Sequence, residues 1–137
     1  TYYFAKGETL YTICDTFFKQ FKNVILPLWD NASTEKGTPK QRFNFYEVLT
    51  MASIVQKEAR HTDEMPKISS VFYNRLKKMM PLGADPTVVY GLGLTTKELV
   101  TYKDTRSTSP YNTYKVFGFP PTPIASKYSQ VTQMGIM

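Results

Sequence analysis

Apolar positions recur at three- and four-residue steps over residues 9–26, where Leu10, Ile13, Phe17, Phe21 and Val24 share one side of a predicted helix. Pro27 is expected to end it. Residues 30–42 are polar and hold Gly37 and Pro39, the pattern of a surface loop and the best hinge in the chain. A second helix is predicted from Asn44, with Glu47 three residues later as the reciprocal member of a capping box. Val48, Met51, Ala52, Ile54, Val55 and Ala59 form its apolar face. A third helix is predicted from a Thr62 cap, with Pro66 in its first turns and Ile68, Val71, Phe72, Leu76 and Met79 as its stripe. Asp85-Pro86 reads as a cap and first helical residue of a short helix through Tyr90, closed by Gly91 and Gly93. Thr95 with Glu98 reads as one more short capped helix. From Thr101 onward Ser, Thr, Tyr and Pro dominate, which predicts extended loop with a strand or two around Tyr114 to Phe117. The expected class is α+β: a mostly helical core with a long loop and short-strand region in the C-terminal third.

Composition narrows the chemistry. The chain has 137 residues, 42% of them hydrophobic, with 10 Tyr, 9 Phe and 1 Trp. That many rings need a core, which excludes a disordered chain, and the length fits one domain. A single cysteine, Cys14, excludes an internal disulfide framework, and with one histidine, His61, it argues against a zinc or iron–sulfur site. No cofactor is expected. Cys14 falls on the apolar face of the first helix and is expected to be buried and inert. The longest apolar stretch, Val24 to Trp29, is interrupted by Pro27 and is too short to cross a bilayer. Seventeen Lys and Arg against 11 Asp and Glu give a net charge of +6. Such a balance suits nucleic acid, an anionic membrane surface or an acidic polymer. The lysines are dispersed, however, and the one dense group, Arg75, Lys77 and Lys78, reads as the solvated face of a helix. No nucleic-acid-binding motif is present, and Gly91-Leu92-Gly93 is not a nucleotide loop.

Glu58 is the candidate with chemistry. It follows Met51 by seven residues, Ile54 by four and Val55 by three, spacings that bring it onto the apolar face of the second helix. A carboxylate there is partly desolvated, its pKa rises, and it suits a general acid. The bland alternative is a helix-end residue that swings into solvent or pairs with Lys57 or Arg60. Asp85 has a sufficient explanation as a helix cap. Asn74, three after Val71, is either a structural bridge or a ligand contact. Ser109-Pro110-Tyr111-Asn112-Thr113-Tyr114 alternates rings with amide and hydroxyl groups, which suits sugar rings or a loop pinned by its own aromatics. His61 reads as a bystander at a helix end.

Several segments resemble, together and in order, the YceG-like (MltG) endolytic murein transglycosylases. They are Leu49-Thr50-Met51-Ala52-Ser53-Ile54-Val55-Gln56-Lys57-Glu58; Val71-Phe72-Tyr73-Asn74-Arg75-Leu76; Met80-Pro81-Leu82 with Asp85-Pro86-Thr87-Val88-Val89-Tyr90-Gly91-Leu92-Gly93; Ser109 to Tyr114; and Gly118-Phe119-Pro120-Pro121-Thr122-Pro123-Ile124-Ala125. The resemblance implies an enzyme of the bacterial envelope, on the extracytoplasmic side, that cuts MurNAc–GlcNAc β-1,4 bonds without water and leaves 1,6-anhydro-MurNAc ends. It implies Glu58 as the catalytic residue, and Asn74, Asp85, Tyr90, Tyr111, Asn112 and Thr113 as substrate-binding residues. Glycan strands are the implied partner and cell-wall synthases a further one, with no nucleic acid. The membrane is involved only through an anchor outside this chain, so residues 1–137 are expected to be the catalytic part of a larger protein with an upstream anchor and LysM-like domain. The chain departs from the family pattern at Gln56, usually Glu, at Gly83-Ala84, usually Gln-Thr, and at Thr122, usually Gly. Those departures keep a second class open, a catalytically silent peptidoglycan-binding module or scaffold.

Overall fold

The computed structural model describes residues 2–94 and 99–125. The Thr95–Glu98 helix expectation therefore lies outside the described residues. Among the described residues five α-helices follow one another: α1 Leu10–Asp30, α2 Pro39–Arg42, α3 Phe45–Glu58, α4 Met65–Lys77 and α5 Asp85–Gly91, with short 3₁₀ turns at Thr62–Glu64 and Asp104–Arg106. Among the described residues there is no strand, so the α+β expectation is corrected to an all-helical architecture with a long irregular C-terminal region. The stretch expected to be a strand is a turn. Lys115 and Val116 both donate their N–H groups to the Asn112 carbonyl, at 3.0 and 2.9 Å. The Asn112 side chain takes the neighbouring Tyr114 N–H at 3.1 Å. Local bonds of this kind use up the groups a ladder would need.

α3 is the axis of the domain. Every residue from Val48 to Val55 is buried, so all faces of the helix are covered and not one stripe alone. Ile25 from α1, Met65 and Phe72 from α4, and Leu82, Ala84 and Ile124 from the loops pack around it. The predicted capping box is present: Asn44 Oδ1 accepts from the Glu47 N–H and a Glu47 carboxylate oxygen accepts from the Asn44 N–H, both at 2.9 Å. The buried middle of the helix, Val48 to Val55, anchors it, and Glu58 emerges three residues beyond that sealed stretch.

α1 runs three residues past Pro27. Proline removes one helical donor, but Leu28 and Trp29 beyond it pack on the core, and Ile25 is 1% exposed just before it. Their burial outweighs one missing bond. The ammonium of Lys40 then reaches back to the carbonyls of Trp29 and Asp30, at 2.5 and 3.1 Å, closing the negative end of the helix. The first half of α1 does not follow its stripe into the core: Leu10 and Phe17 are exposed, and so is Cys14, contrary to expectation. The polar 30–42 loop contains the single turn of α2. No helix among the described residues is long and apolar enough to cross a membrane.

Candidate active site

Glu58 is the last residue of α3. The residue is exposed, whereas Met51, Ile54 and Val55 on the same side are sealed. Its carboxyl is nonetheless crowded. Desolvation is the largest cause of a pKa raised above the usual carboxylate range, the negative charge of Asp85 adds to it, and the positive charge of Arg75 opposes it. The negative end of the α3 dipole works in the raising direction.

The groups that act on Glu58 arrive from three segments. Arg75, on α4, donates from Nη1 to the Leu82 carbonyl, which holds the guanidinium against the loop before α5. Asp85 is the first residue of α5. It makes no capping bond, contrary to expectation, and its N-cap is Ala84. Its Oδ1 instead accepts the Tyr114 O–H at 2.6 Å. Burial, that hydrogen bond and the charges of Asp85 and Glu58 push the Tyr114 hydroxyl up to about 12, against the pull of Arg75. Tyr114 therefore stays a donor at any physiological pH.

Gly83 lies between these groups. Its φ is +61°, which suits glycine. A Cβ there would sit 3.1 Å from Arg75 Nη1 and 3.5 Å from the Tyr114 ring. The guanidinium and the phenol close over the glycine. Ala84 is 1% exposed and fills space without contributing a polar atom to the surface.

The remaining candidates separate into three groups. Asn112 and Thr113 are both 0% exposed and turn inward. The Asn112 amide donates to the carbonyls of Thr105 and Ser107, at 3.0 and 2.8 Å. Thr113 Oγ1 accepts from the Ala84 N–H at 2.9 Å and meets Thr87 Oγ1 at 2.8 Å, which docks the 107–118 segment on the start of α5 and so positions Tyr114. Tyr90 and Tyr111 form a pair with ring centroids 4.8 Å apart; Tyr90 is exposed, and the Tyr111 hydroxyl is held by Thr122 Oγ1 at 2.9 Å. Tyr90 stands five residues, about 7.5 Å, along α5 from Asp85. Asn74 is exposed on α4. It projects about 100° around α4 from Arg75 and lines a separate cavity with Arg42 and Lys77. His61 is exposed beside the Thr62–Glu64 turn.

Arg75 and Tyr114 were absent from the sequence-derived candidates. Arg75 had a signal: it follows Ile68 by seven residues and Phe72 by three, so the spacing argument that singles out Glu58 applies equally to it. Tyr114 had none, because its partner is 29 residues away.

A carboxylate with a raised pKa, flanked by a second carboxylate, a guanidinium and a phenol on an all-helical scaffold, is an arrangement suited to general acid–base chemistry. The chain belongs to the YceG-like family, whose sequence model matches residues 1–131. It is 52% identical over 87 residues to a Bacillus subtilis (strain 168) protein named endolytic murein transglycosylase, covering 64% of this chain and 24% of that one. It is 30% identical over 130 residues to a protein of the same name from Streptococcus pneumoniae serotype 2 (strain D39), covering 92% of this chain and 22% of that one. The crystal structure of a yceG-like protein from Listeria monocytogenes superposes with a TM-score of 0.81 at 37% identity, over 99% of this chain and 43% of that chain. The chain thus spans under a quarter of the length of these two curated relatives.

Proposed function

We propose that this chain carries the catalytic machinery of an endolytic murein transglycosylase. The substrate is the peptidoglycan glycan strand, cut internally at the MurNAc–GlcNAc β-1,4 bond, with a 1,6-anhydro-MurNAc end as product. The observation that supports it most directly is the raised pKa of Glu58 beside Asp85 and Arg75, in a family whose named members are endolytic murein transglycosylases.

One acid–base residue suffices for this reaction. Protonated Glu58 donates to the glycosidic oxygen as the C1–O bond breaks. The resulting carboxylate accepts the proton of the C6 hydroxyl, whose oxygen bonds to C1. No water is consumed and Glu58 ends protonated again. Because nucleophile and electrophile belong to one sugar, the second step has the advantage of an intramolecular reaction. Arg75 steadies the carboxylate in its charged phase, while Asp85 favours return of the proton. Exposed Tyr90, backed by half-buried Tyr111, offers an aromatic face to sugar C–H surfaces.

The same reading places the enzyme on the extracytoplasmic side of the bacterial envelope, held by an anchor beyond these residues, where it limits strand length and works beside cell-wall synthases. Mass analysis of products from purified strands tests it. Anhydro ends formed without water, and lost in Glu58→Gln, are the expected result. Reducing ends formed with water, or full activity in Glu58→Gln, would overturn it. Strand binding with no product from the unaltered chain would move the assignment to the silent binding module.

A further inference from the structure

A second concavity, about 340 Å³, lies between α2 and α4. Its size is at the lower end of ligand-binding cavities. Ser69, Tyr73 and Lys77 recur every four residues and so line one face of α4, with Asn74 beside them, while Arg42 and Phe43 form the opposite wall. Arg75 leaves α4 on another side, toward Leu82, so this cavity is separate from the surroundings of Glu58.

The walls hold uncommitted donors. Neither Arg42 nor Lys77 has an acceptor among the described residues. The Tyr73 hydroxyl is buried with no hydrogen-bond partner. Ser69 is 3% exposed, and its hydroxyl likewise has none among the described residues. Buried hydroxyls are nearly always paired. An unpaired buried phenol, the Ser69 hydroxyl without a partner and two free cations lining one concavity make a donor set waiting for oxygen acceptors.

We infer that this cavity is a binding site for a carboxylate-bearing peptide, namely the stem peptide carried by a glycan strand; this identity of the ligand rests on the function proposed above. A neutral sugar has no use for two cations. A bare inorganic anion would use Arg42 and Lys77 but leave the hydroxyls and the ring of Phe43, stacked on Tyr73 at 5.2 Å, uncovered. A short acidic peptide engages all of them: its carboxylate meets the cations and its carbonyls accept from Ser69, Tyr73 and the Asn74 amide. Glu47 sets the orientation. Its charge adds to burial in raising the Tyr73 pKa, so Tyr73 remains a donor, and it repels a carboxylate from that end. Glu47 itself is held by the Asn44 N–H.

The test is calorimetric titration of the whole chain with a free stem peptide containing a γ-linked D-Glu, with no glycan. Saturable binding is expected, weakened about tenfold or more in Arg42→Gln/Lys77→Gln and weakened less in Ser69→Ala/Tyr73→Phe, with unfolding midpoints confirming that the variants are folded. Glu58→Gln should bind like the unaltered chain. No binding, equal binding of inorganic phosphate, equal binding of the peptide with its carboxyls amidated, or undiminished binding by the folded double variants would each overturn the site. Cleavage is not needed for this readout. Peptide binding without anhydro products would refute the proposed activity and leave the site standing, and anhydro products without peptide binding would do the reverse.

Discussion

Tyr114 donates its hydroxyl to Asp85 Oδ1 across 2.6 Å, joining the turn after Asn112 to the first residue of α5. The bond fixes a negative charge next to Glu58, where it helps hold the Glu58 pKa above its usual range. Asp85→Asn keeps an oxygen for Tyr114 and removes the charge. The Glu58 pKa then falls, and the protonated acid is lost at lower pH. The alkaline limb of the pH–activity profile is expected to move acidward, with product chemistry unchanged. An unmoved limb would show that Asp85 does not set the acidity of Glu58.

Arg75 acts with the opposite sign. Its charge lowers the Glu58 pKa, so Arg75→Met should move the same limb toward higher pH. The variant also strips the Leu82 carbonyl of its donor, a loss of about 1–3 kcal/mol. A pH profile shifted alkaline together with a lower unfolding midpoint is the expected pair of outcomes; a fall in the midpoint alone would make Arg75 purely structural.

How far these groups were legible in the sequence follows from their range. The Asn44–Glu47 capping box spans three residues, and its chemistry could be read directly. The spacing of Glu58 put it on the apolar face of its helix, where a desolvated carboxyl is expected; the raised pKa agrees with that, but the residue is the exposed last residue of α3, because the burial of that face stops at Val55. Asp85 followed by Pro86 carries the local signature of a cap, but a phenol 29 residues on takes its carboxylate, and no local rule contains that. Pro27 carries a stop signal that burial of Leu28 and Trp29 overrides. Asn112 and Thr113 sit in a segment whose polar groups looked available to a ligand; tertiary packing spends them on Thr105, Ser107 and Ala84.

Glu58→Gln has a stability signature as well as an activity one. Because the folded-state pKa is raised, the favourable contribution of the carboxyl is fully present below its unfolded-state pKa and is lost as pH rises through the folded-state value. The neutral amide keeps no such dependence. Urea unfolding should show the stability of Glu58→Gln relative to the unaltered chain rising from acidic to neutral pH. Activity should fall by about 10²–10⁴-fold, the usual worth of a general acid–base group. A stability difference independent of pH would mean that Glu58 titrates as if in water.

Ser53 connects the catalytic helix to the C-terminal region. Buried at 1% exposure, its Oγ donates to the Thr50 carbonyl at 2.7 Å and accepts from the Ile124 N–H at 2.9 Å. Ser53→Ala leaves that buried N–H without an acceptor, at a cost of about 1–3 kcal/mol. Hydrogen exchange of the Ile124 amide should accelerate more than exchange in α3, which the rest of the core still holds. Uniform acceleration would argue against a local tether.

Gly91 tests the seat of the Tyr90–Tyr111 pair. It is the last residue of α5, and a Cβ there would lie 2.4 Å from Ser109 Oγ and 2.9 Å from Tyr111 Cβ. In open solvent Gly91→Ala would gain up to about 1 kcal/mol of helix propensity, and less at a helix end. Overpacking of this degree costs about 1–3 kcal/mol, so the clash decides the sign and the variant should be destabilised. Ser109→Gly in the same chain removes the shorter contact but not the Tyr111 one, so it should restore only part of the loss. Because the displaced ring is the one against Tyr90, the residual defect should appear as a raised KM for glycan strands with kcat little changed. Complete rescue of both stability and KM would mean that Ser109, and not the seat of Tyr111, is what the glycine accommodates.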